Sequence, residues 1–232
     1  MVIAIDGPAG AGKSTVAQRV AARLKCTYVD TGAMYRALTL KALRLGVSID
    51  DRESLADLAR ETAIEFQTSE DGVRRVLLDG EDVTDGIRTP EVTGGVSQVS
   101  SVPELRDHMV ERQRELVNAG GAVMDGRDIG TVVLPNADLK FYIDATPTVR
   151  AHRRWLELSD RGVEIPLEQV LANQLDRDAC DTQREASPLR PADDAIIVDS
   201  GDLSVDEVVA LILGHCGAMR EAPDDDCRDG VT

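Results

Sequence analysis

Long apolar runs are missing from this 232-residue chain. No stretch approaches the roughly 20 residues that a membrane-crossing helix needs, which excludes a helical membrane protein. The N-terminus has no basic leader, and its first apolar run ends at Asp6 after four residues. A secretory signal is therefore not expected, and the cytoplasm is the expected location. The four cysteines (Cys26, Cys180, Cys216 and Cys227) include no C-x-x-C pair, and the three histidines (His108, His152 and His215) stand far apart in sequence. Neither a structural zinc site nor a disulfide framework is expected, only reduced thiols. Basic residues are also scarce: 26 Lys and Arg face 42 Asp and Glu, for a net charge of −16. Nucleic acid and anionic membranes both need a basic footprint, so neither is an expected partner. No internal repeat is present.

The composition is otherwise that of a soluble globule, 42% hydrophobic and long enough for one sizeable core. Short apolar runs occur at VIAI (2–5), TYV (27–29), AVM (122–124), LKFYI (139–143) and AIIV (195–198), each followed by aspartate. They read as buried strands, and the helical patterns between them predict an α/β fold with a mostly parallel sheet. Thr146-Pro147 marks a helix start, and Ser204 with Glu207 forms a capping box before VVALIL. One stretch breaks the alternation. AIEFQ (63–67), a turn at 69–72, VRRVLL (73–78) and DGEDV (79–83) predict a small antiparallel meander inserted between core elements. The terminal EAPDDDCRDGVT (221–232) is acidic, almost without apolar residues, and is expected to be a disordered tail.

The first strand leads into GPAGAGKS, residues 7–14, which fits G-x-x-x-x-G-K-[ST] without a gap. Val16, Ala17, Val20, Ala21 and Leu24 then fall on one helical face. Strand, glycine loop and helix in immediate succession are the context of a phosphate loop. Gly7, Pro8, Ala9, Gly10, Ala11 and Gly12 would wrap phosphate oxygens with backbone N–H groups, and Lys13 would reach the β/γ-phosphates. Ser14, followed by Thr15, offers a hydroxyl to Mg²⁺, and the helix N-terminus adds its dipole. A GTPase switch would show D-x-x-G and N-K-x-D. Here no aspartate has glycine three positions on, and none of Asn118, Asn136 or Asn173 precedes lysine. A nucleic-acid motor would carry more basic surface. A phosphotransferase needs a second anion site, and an acidic chain must gather arginines to build one, since exposed charges beyond about 8–10 Å are largely screened.

Arginine's planar fork suits such a site. In DTGAMYR (30–36), a strand-ending aspartate precedes a tight turn that carries Thr31, Tyr35 and Arg36. In MDGRDIGT (124–131), Arg127 and Asp128 lie just past the carboxyl end of a strand, where open α/β sheets bind ligands. In RDACDTQR (177–184), Arg177, Asp181 and Arg184 have i, i+4, i+7 spacing, which reads either as one helical face of a site or as a solvated salt-bridge ladder. Arg150, Arg153 and Arg154 form a further basic face, ordinary surface if taken alone and a cover for the departing phosphoryl group beside a phosphate loop. Asp125, at a strand end near the loop, is a candidate to hold a Mg²⁺-bound water; the alternative for it is a turn cap.

GPAGAGKST, DTGAMYRALT, GEDVTDGIRTPEV, SQVS, ERQR, DGRDIGTVV and AHRR occur in this order. Together they resemble the bacterial cytidylate kinases, nucleoside monophosphate kinases of the P-loop class, over roughly residues 2–213. The resemblance implies a three-layer α/β/α P-loop core from residues 1–36, 106–156 and 181–214. It also implies a monophosphate-binding region at 37–105 that contains the antiparallel insertion, a lid from Glu157 to Cys180 and a tail at 215–232. By the same resemblance Arg36, Arg127 and Arg184 would hold the CMP phosphate. Ser97, Arg106 and Asp128 would read cytosine, Arg177 and Asp181 would hold the sugar, and Arg153 and Arg154 would reach the ATP phosphates. The implied activity is in-line transfer from ATP with Mg²⁺ to CMP and dCMP, by a monomer. Two alternatives stand beside it: a kinase for another small acceptor such as UMP, AMP or shikimate, and a non-enzymatic nucleotide-binding regulator.

Overall fold

Each of the five apolar runs ends in a carboxylate, and the fold uses all five at one edge. In the computed structural model, which describes residues 1–68, 74–117 and 120–221, these runs are β1 (Val2–Asp6), β2 (Thr27–Asp30), β6 (Ala122–Asp125), β7 (Leu139–Asp144) and β8 (Ile196–Asp199). They form one parallel sheet in the order β2-β6-β1-β7-β8. Because all five run the same way, Asp6, Asp30, Asp125, Asp144 and Asp199 line the carboxyl edge, where open α/β sheets bind ligands.

Alternation along the strands divides the core between two faces. Ile3, Ile5, Val123, Phe141 and Ile143 pack under α1 (Lys13–Leu24) and α8 (Val205–Glu221), which contribute Val16, Val20, Val208 and Ile212. Ala4, Val29 and Met124 face the other way, against Val110 of α5 (Pro103–Glu115) and Ile129 and Val133 of a π-helical turn. That turn, Ile129–Val133, is closed by the N–H of Leu134 on Ile129 O at 2.7 Å and the N–H of Val133 on Asp128 O at 3.1 Å. The three-layer α/β/α architecture is thus present. α8 starts from the anticipated capping box: the Ser204 N–H donates to Glu207 Oε2 at 2.8 Å and the Glu207 N–H donates to Ser204 Oγ at 3.3 Å.

The insertion follows α2 (Thr31–Leu45) and α3 (Arg52–Arg60). It is a three-stranded antiparallel sheet of β3 (Ile64–Thr68), β4 (Arg74–Leu78) and β5 (Glu81–Asp82), and its expected turn at 69–72 lies outside the described residues. Arg74 docks it on the central sheet, with its guanidinium 4.4 Å from the centre of the Tyr28 ring and one N–H donated to Tyr28 O at 3.0 Å. α4 (Pro90–Val99) and α5 return the chain to the core. α6 (Pro147–Asp160) and α7 (Leu167–Gln183) then pack on each other over the phosphate loop.

Three expectations change. α8 continues to Glu221, so residues 215–221 are helix rather than tail, and residues 222–232 lie outside the described residues. α7 ends at Gln183, and Arg184 is extended at φ −61°, ψ 143°. Arg184 therefore does not share a helical face with Arg177 and Asp181. The sequence division at 180/181 also falls inside α7, which carries Asp181 on the same rigid helix as Arg177.

Candidate active site

The phosphate loop bends where side chains cannot go. Gly7 has φ +142°, and a Cβ there would sit 2.0 Å from Ile143 O. Gly10 has φ +77°, and a Cβ there would meet Gln174 Nε2 at 2.7 Å. Glycine is the residue for both positions. Gly12 caps α1 without a side-chain bond, so no side chain competes for the N–H groups of the first turn. Lys13 is buried across the loop, donating to Pro8 O at 2.7 Å. Burial, with Arg127 adding to it, pulls its ammonium down to about 7. Ser14 donates its hydroxyl to Asp125 Oδ2 at 2.7 Å. Burial, with the nearby Asp30 adding to it, pushes the Asp125 carboxyl up to about 6. Asp125 is no turn cap, since Oδ2 takes the Ser14 hydroxyl and Oδ1 has no hydrogen-bond partner among the described residues.

Loop and sheet edge form one wall of a cleft of about 340 Å³. The opposite wall comes from α2, α4, α5, the segment after β6, and α7. Nine arginines and Lys13 line the cleft, against Asp30, Asp125, Asp128, Glu157 and Asp181, so the net charge of the chain is reversed locally. The lining brings together Ala9, Gly10, Gly12, Lys13, Ser14, Thr15, Thr31, Tyr35, Arg36, Ser97, Arg106, Asp125, Arg127, Asp128, Arg153, Arg154, Arg177, Asp181 and Arg184, each anticipated from sequence. Gly7, Pro8 and Ala11 belong to the loop but do not line the cleft.

The charges are ordered by one another. Arg106, 2% exposed, donates to Asp128 Oδ2 at 2.5 Å and to Ser100 O at 2.9 Å. Arg184 lies 3.7 Å from Asp128 Oδ1. Arg127 donates through Nε to Asp181 Oδ2 at 2.7 Å, and Arg36 donates to Asp30 Oδ2 at 3.0 Å. Burial pushes Asp181 up, but Arg127 and Arg177 reverse this and hold it below the usual carboxylate range. Burial, with Arg127 beside it, brings Arg177 down to about 10. A salt-bridge ladder in solvent is therefore the wrong reading of this segment: Asp181 is buried and points into the cleft. Thr31 Oγ1 donates to Asp125 O at 2.7 Å, and the buried Tyr35 hydroxyl has no partner among the described residues.

The basic face expected on α6 is not one face. Arg150 is buried and turned inward, donating to Ala9 O at 3.0 Å and to the Asp178 carboxylate at 2.6 and 3.1 Å. Arg153 donates to Ser200 O at 2.5 Å, and Arg154 pairs with Glu157 at 2.8 Å. Only Arg153 and Arg154 line the cleft.

Sequence reasoning missed several participants. Gln174 donates to Ala9 O at 3.1 Å, so α6 and α7 both hold the same phosphate-loop carbonyl. Asp6 accepts from the Ile129 N–H at 2.8 Å and the Gly130 N–H at 2.7 Å. Neither has a local signal, because the partners are 165 and 123–124 residues away. Arg88 also lines the cleft and could have been found, since it lies inside GEDVTDGIRTPEV.

A parallel sheet with a lysine-bearing phosphate loop, facing a set of arginines across one cleft, defines a phosphotransferase of the P-loop kinase class. Comparison with known proteins narrows the class. The sequence model of the family described as cytidylate kinase matches residues 3–217. A cytidylate kinase of Symbiobacterium thermophilum is 55% identical over 93% of this chain and 96% of its own length. One from Desulfitobacterium hafniense is 52% identical over 91% and 90%, and one from Geobacillus kaustophilus 53% over 91% and 94%. The chain belongs to the cytidylate kinase family. Among solved structures, an uncharacterized protein of Eubacterium ventriosum shares the fold at TM-score 0.51 and 12% identity, covering 94% of this chain and 99% of that one.

Proposed function

We propose that the chain transfers the γ-phosphoryl group of ATP directly, in line, to the phosphate of CMP or dCMP. The observation that carries this reading is the facing of two anion sites across one cleft: the loop with Lys13, and the half-buried set of Arg36, Arg127, Arg177 and Arg184. A hydrolase or a switch needs only the first.

Phosphoryl transfer is mainly positioning and charge neutralisation. Arg36, Arg127 and Arg184 would grip the acceptor phosphate, the first two as forks held by Asp30 and Asp181 and the third by its Nε on Ser187 O at 2.6 Å. Arg177 and Asp181, one turn apart on α7, would take the sugar. Ser97, Arg106 and Asp128 would read the base: Asp128 can accept from the cytosine amino group and would repel the carbonyl oxygen of uracil. Thr31 and Tyr35 complete the acceptor wall. Lys13 would work in low dielectric on the transferred charge, and Arg153 and Arg154 would join it from α6. α6 and α7 exclude water, which would otherwise take the phosphoryl group.

The residues present fit Mg²⁺. Asp125 Oδ1 is buried without a hydrogen-bond partner among the described residues, and Ser14 Oγ lies beside the same carboxylate, a hard-oxygen pair next to the loop. No group of three or more His, Cys, Asp or Glu among the described residues could hold a metal, so most of the coordination would come from phosphate and water. Bound there, the ion would neutralise charge between the phosphates.

The chain would act as a cytoplasmic monomer; among the described residues no helix is long and apolar enough to cross a membrane. The test is ADP formation from ATP and Mg²⁺ against a panel of ribo- and deoxy-monophosphates, with shikimate included. CMP and dCMP should give the highest kcat/KM. Preference for AMP or shikimate, or ATP binding with no transfer to any acceptor, would overturn the proposal.

A further inference from the structure

The buried carboxylate of Asp6 has no place in the chemistry described above, yet it ties the strand before the phosphate loop to the turn after Asp128. It ends β1, one residue before the phosphate loop, and is 3% exposed. Its two oxygens are each used once, by the N–H groups of Ile129 at 2.8 Å and Gly130 at 2.7 Å. Those are the two residues that follow Arg127 and Asp128. On the other side the Asp128 carbonyl is held by the N–H groups of Val132 at 2.9 Å and Val133 at 3.1 Å. The backbone of Asp128 is thereby clamped from both sides, and its carboxylate is aimed at Arg106 and Arg184. There is little slack around the clamp, since a Cβ on Gly130 would meet Lys140 Cδ at 3.1 Å and Asp6 Oδ2 at 3.4 Å.

We infer that Asp6 is a positioning residue for base discrimination: it fixes the turn that presents Asp128, and so sets CMP against UMP without touching either. The inference rests on the proposed role of Asp128 as the reader of the base. A carboxylate is the side chain for this work, because it accepts at both oxygens, whereas an amide of the same shape offers one acceptor and turns an NH₂ toward the second N–H. Asp6→Asn should therefore release one side of the clamp and leave the phosphate loop, which begins at the next residue, in place.

The experiment compares kcat and KM for CMP, UMP and ATP in the parent chain, Asp6→Asn and Asp128→Asn. In Asp6→Asn the CMP-over-UMP ratio of kcat/KM should narrow by about five- to tenfold, less than loss of a direct charged contact, with KM for ATP within about twofold of the parent. A ratio that narrows in Asp128→Asn but holds in Asp6→Asn overturns the inference alone. A ratio that Asp128→Asn leaves intact overturns the reading of Asp128, and the inference with it. A rise in KM for ATP with an unchanged ratio would make Asp6 a support of the donor loop, which also overturns the inference. Should Asp6→Asn fail to fold, amide hydrogen exchange of the parent decides. The Ile129 and Gly130 amides should be protected to the same degree as those of β1, and rapid exchange at both would show that the clamp is not closed in solution.

Discussion

In the proposed reading, the two walls of the cleft, one for the donor and one for the acceptor, would bind anions by opposite means. The donor wall is backbone: nine consecutive residues, 7–15, in which glycines shape the loop and a single lysine carries charge. The acceptor wall is side chain: Arg36 from α2, Ser97 from α4, Arg106 from α5, Arg127 and Asp128 after β6, Arg177 and Asp181 from α7, and Arg184 beyond its end. Backbone amides present the same groups whatever the side chains, so the donor wall is sensitive to added volume and otherwise tolerant. Paired arginines are tolerant of backbone detail but sensitive to any change of charge, because a partner left alone is a buried unpaired ion. Substitutions on the donor wall should therefore act on ATP and turnover whatever the base, and those on the acceptor wall on the monophosphate.

The largest effect expected is at Lys13, the one donor-wall side chain with a charge. Lys13→Met should lower kcat by roughly a hundred- to a thousandfold, the scale for loss of one preorganised donor to developing charge. The same variant carries a pH signature. The folded value of Lys13, about 7, lies below its ordinary 10.5, so between those values the unfolded chain binds more protons than the folded one. Stability of the nucleotide-free parent therefore gains from this group as pH rises from about 7 to 10.5, and the burial penalty is full below 7. Lys13→Met lacks that rise. Its Tm relative to the parent should improve steadily from pH 10 down to 7. An unchanged kcat would remove the lysine from the chemistry, and a Tm difference flat in pH would mean that its charge is not penalised by burial.

Next comes the acceptor wall. Arg177 is half-buried, and its buried Nε has no partner among the described residues. Arg177→Ala should lower kcat/KM for CMP and UMP alike by about 10- to 150-fold, equivalent to 1.5–3 kcal/mol for a charged hydrogen bond. The sugar is common to both substrates. Steady-state kinetics on the two nucleotides checks this, and a loss confined to one base would move Arg177 from the sugar to the base.

The same division explains what could be read without a structure. The donor wall is contiguous, so eight residues of motif between a strand and a helix reveal it. The five parallel strands were legible too, because a strand buried on both faces is a plain apolar run, and each run stops at the carboxylate that meets the ligand edge. The capping box before α8 is likewise a local signal. The acceptor wall is assembled by topology. Its members were visible as arginines out of keeping with an acidic chain, but pairings such as Arg106 with Asp128 and Arg127 with Asp181 link separate elements and have no local periodicity. Where local spacing was all there was, it misled. The i, i+7 relation of Arg177 and Arg184 is broken because α7 stops at Gln183, and the run of Arg150, Arg153 and Arg154 points to three different partners.

A smaller effect should separate the walls most cleanly. Gly10 needs both its positive φ and its lack of a side chain, since a Cβ would press on Gln174 Nε2 at 2.7 Å and on Arg150 O at 3.1 Å. Gly10→Ala combines left-handed strain with displacement of α7 from the Ala9 carbonyl. KM for ATP should rise by roughly five- to thirtyfold, equivalent to the 1–2 kcal/mol of that strain, while the CMP-over-UMP ratio stays at the parent value. A ratio that narrows along with the rise in KM would mean that α7 transmits donor-wall strain into the base contacts, and that the two walls are not independent.

The least effect is expected where neither wall is touched. Ser204 caps α8, which packs Val208, Val209 and Ile212 into the core beneath the sheet and, among the described residues, contributes none to the cleft. Removing an N-cap hydroxyl costs about 1 kcal/mol, and for a chain of this size that lowers Tm by roughly 2–4 °C. Ser204→Ala should show this drop in a thermal melt with KM for ATP and CMP unchanged, because the strands between α8 and the cleft are held by their own ladders and by the core on both faces. A change in either KM at a temperature well below the melt would mean that the sheet relays strain from its far face to the ligand edge. The separation of donor and acceptor walls would then be a property of the whole scaffold and not of the cleft alone.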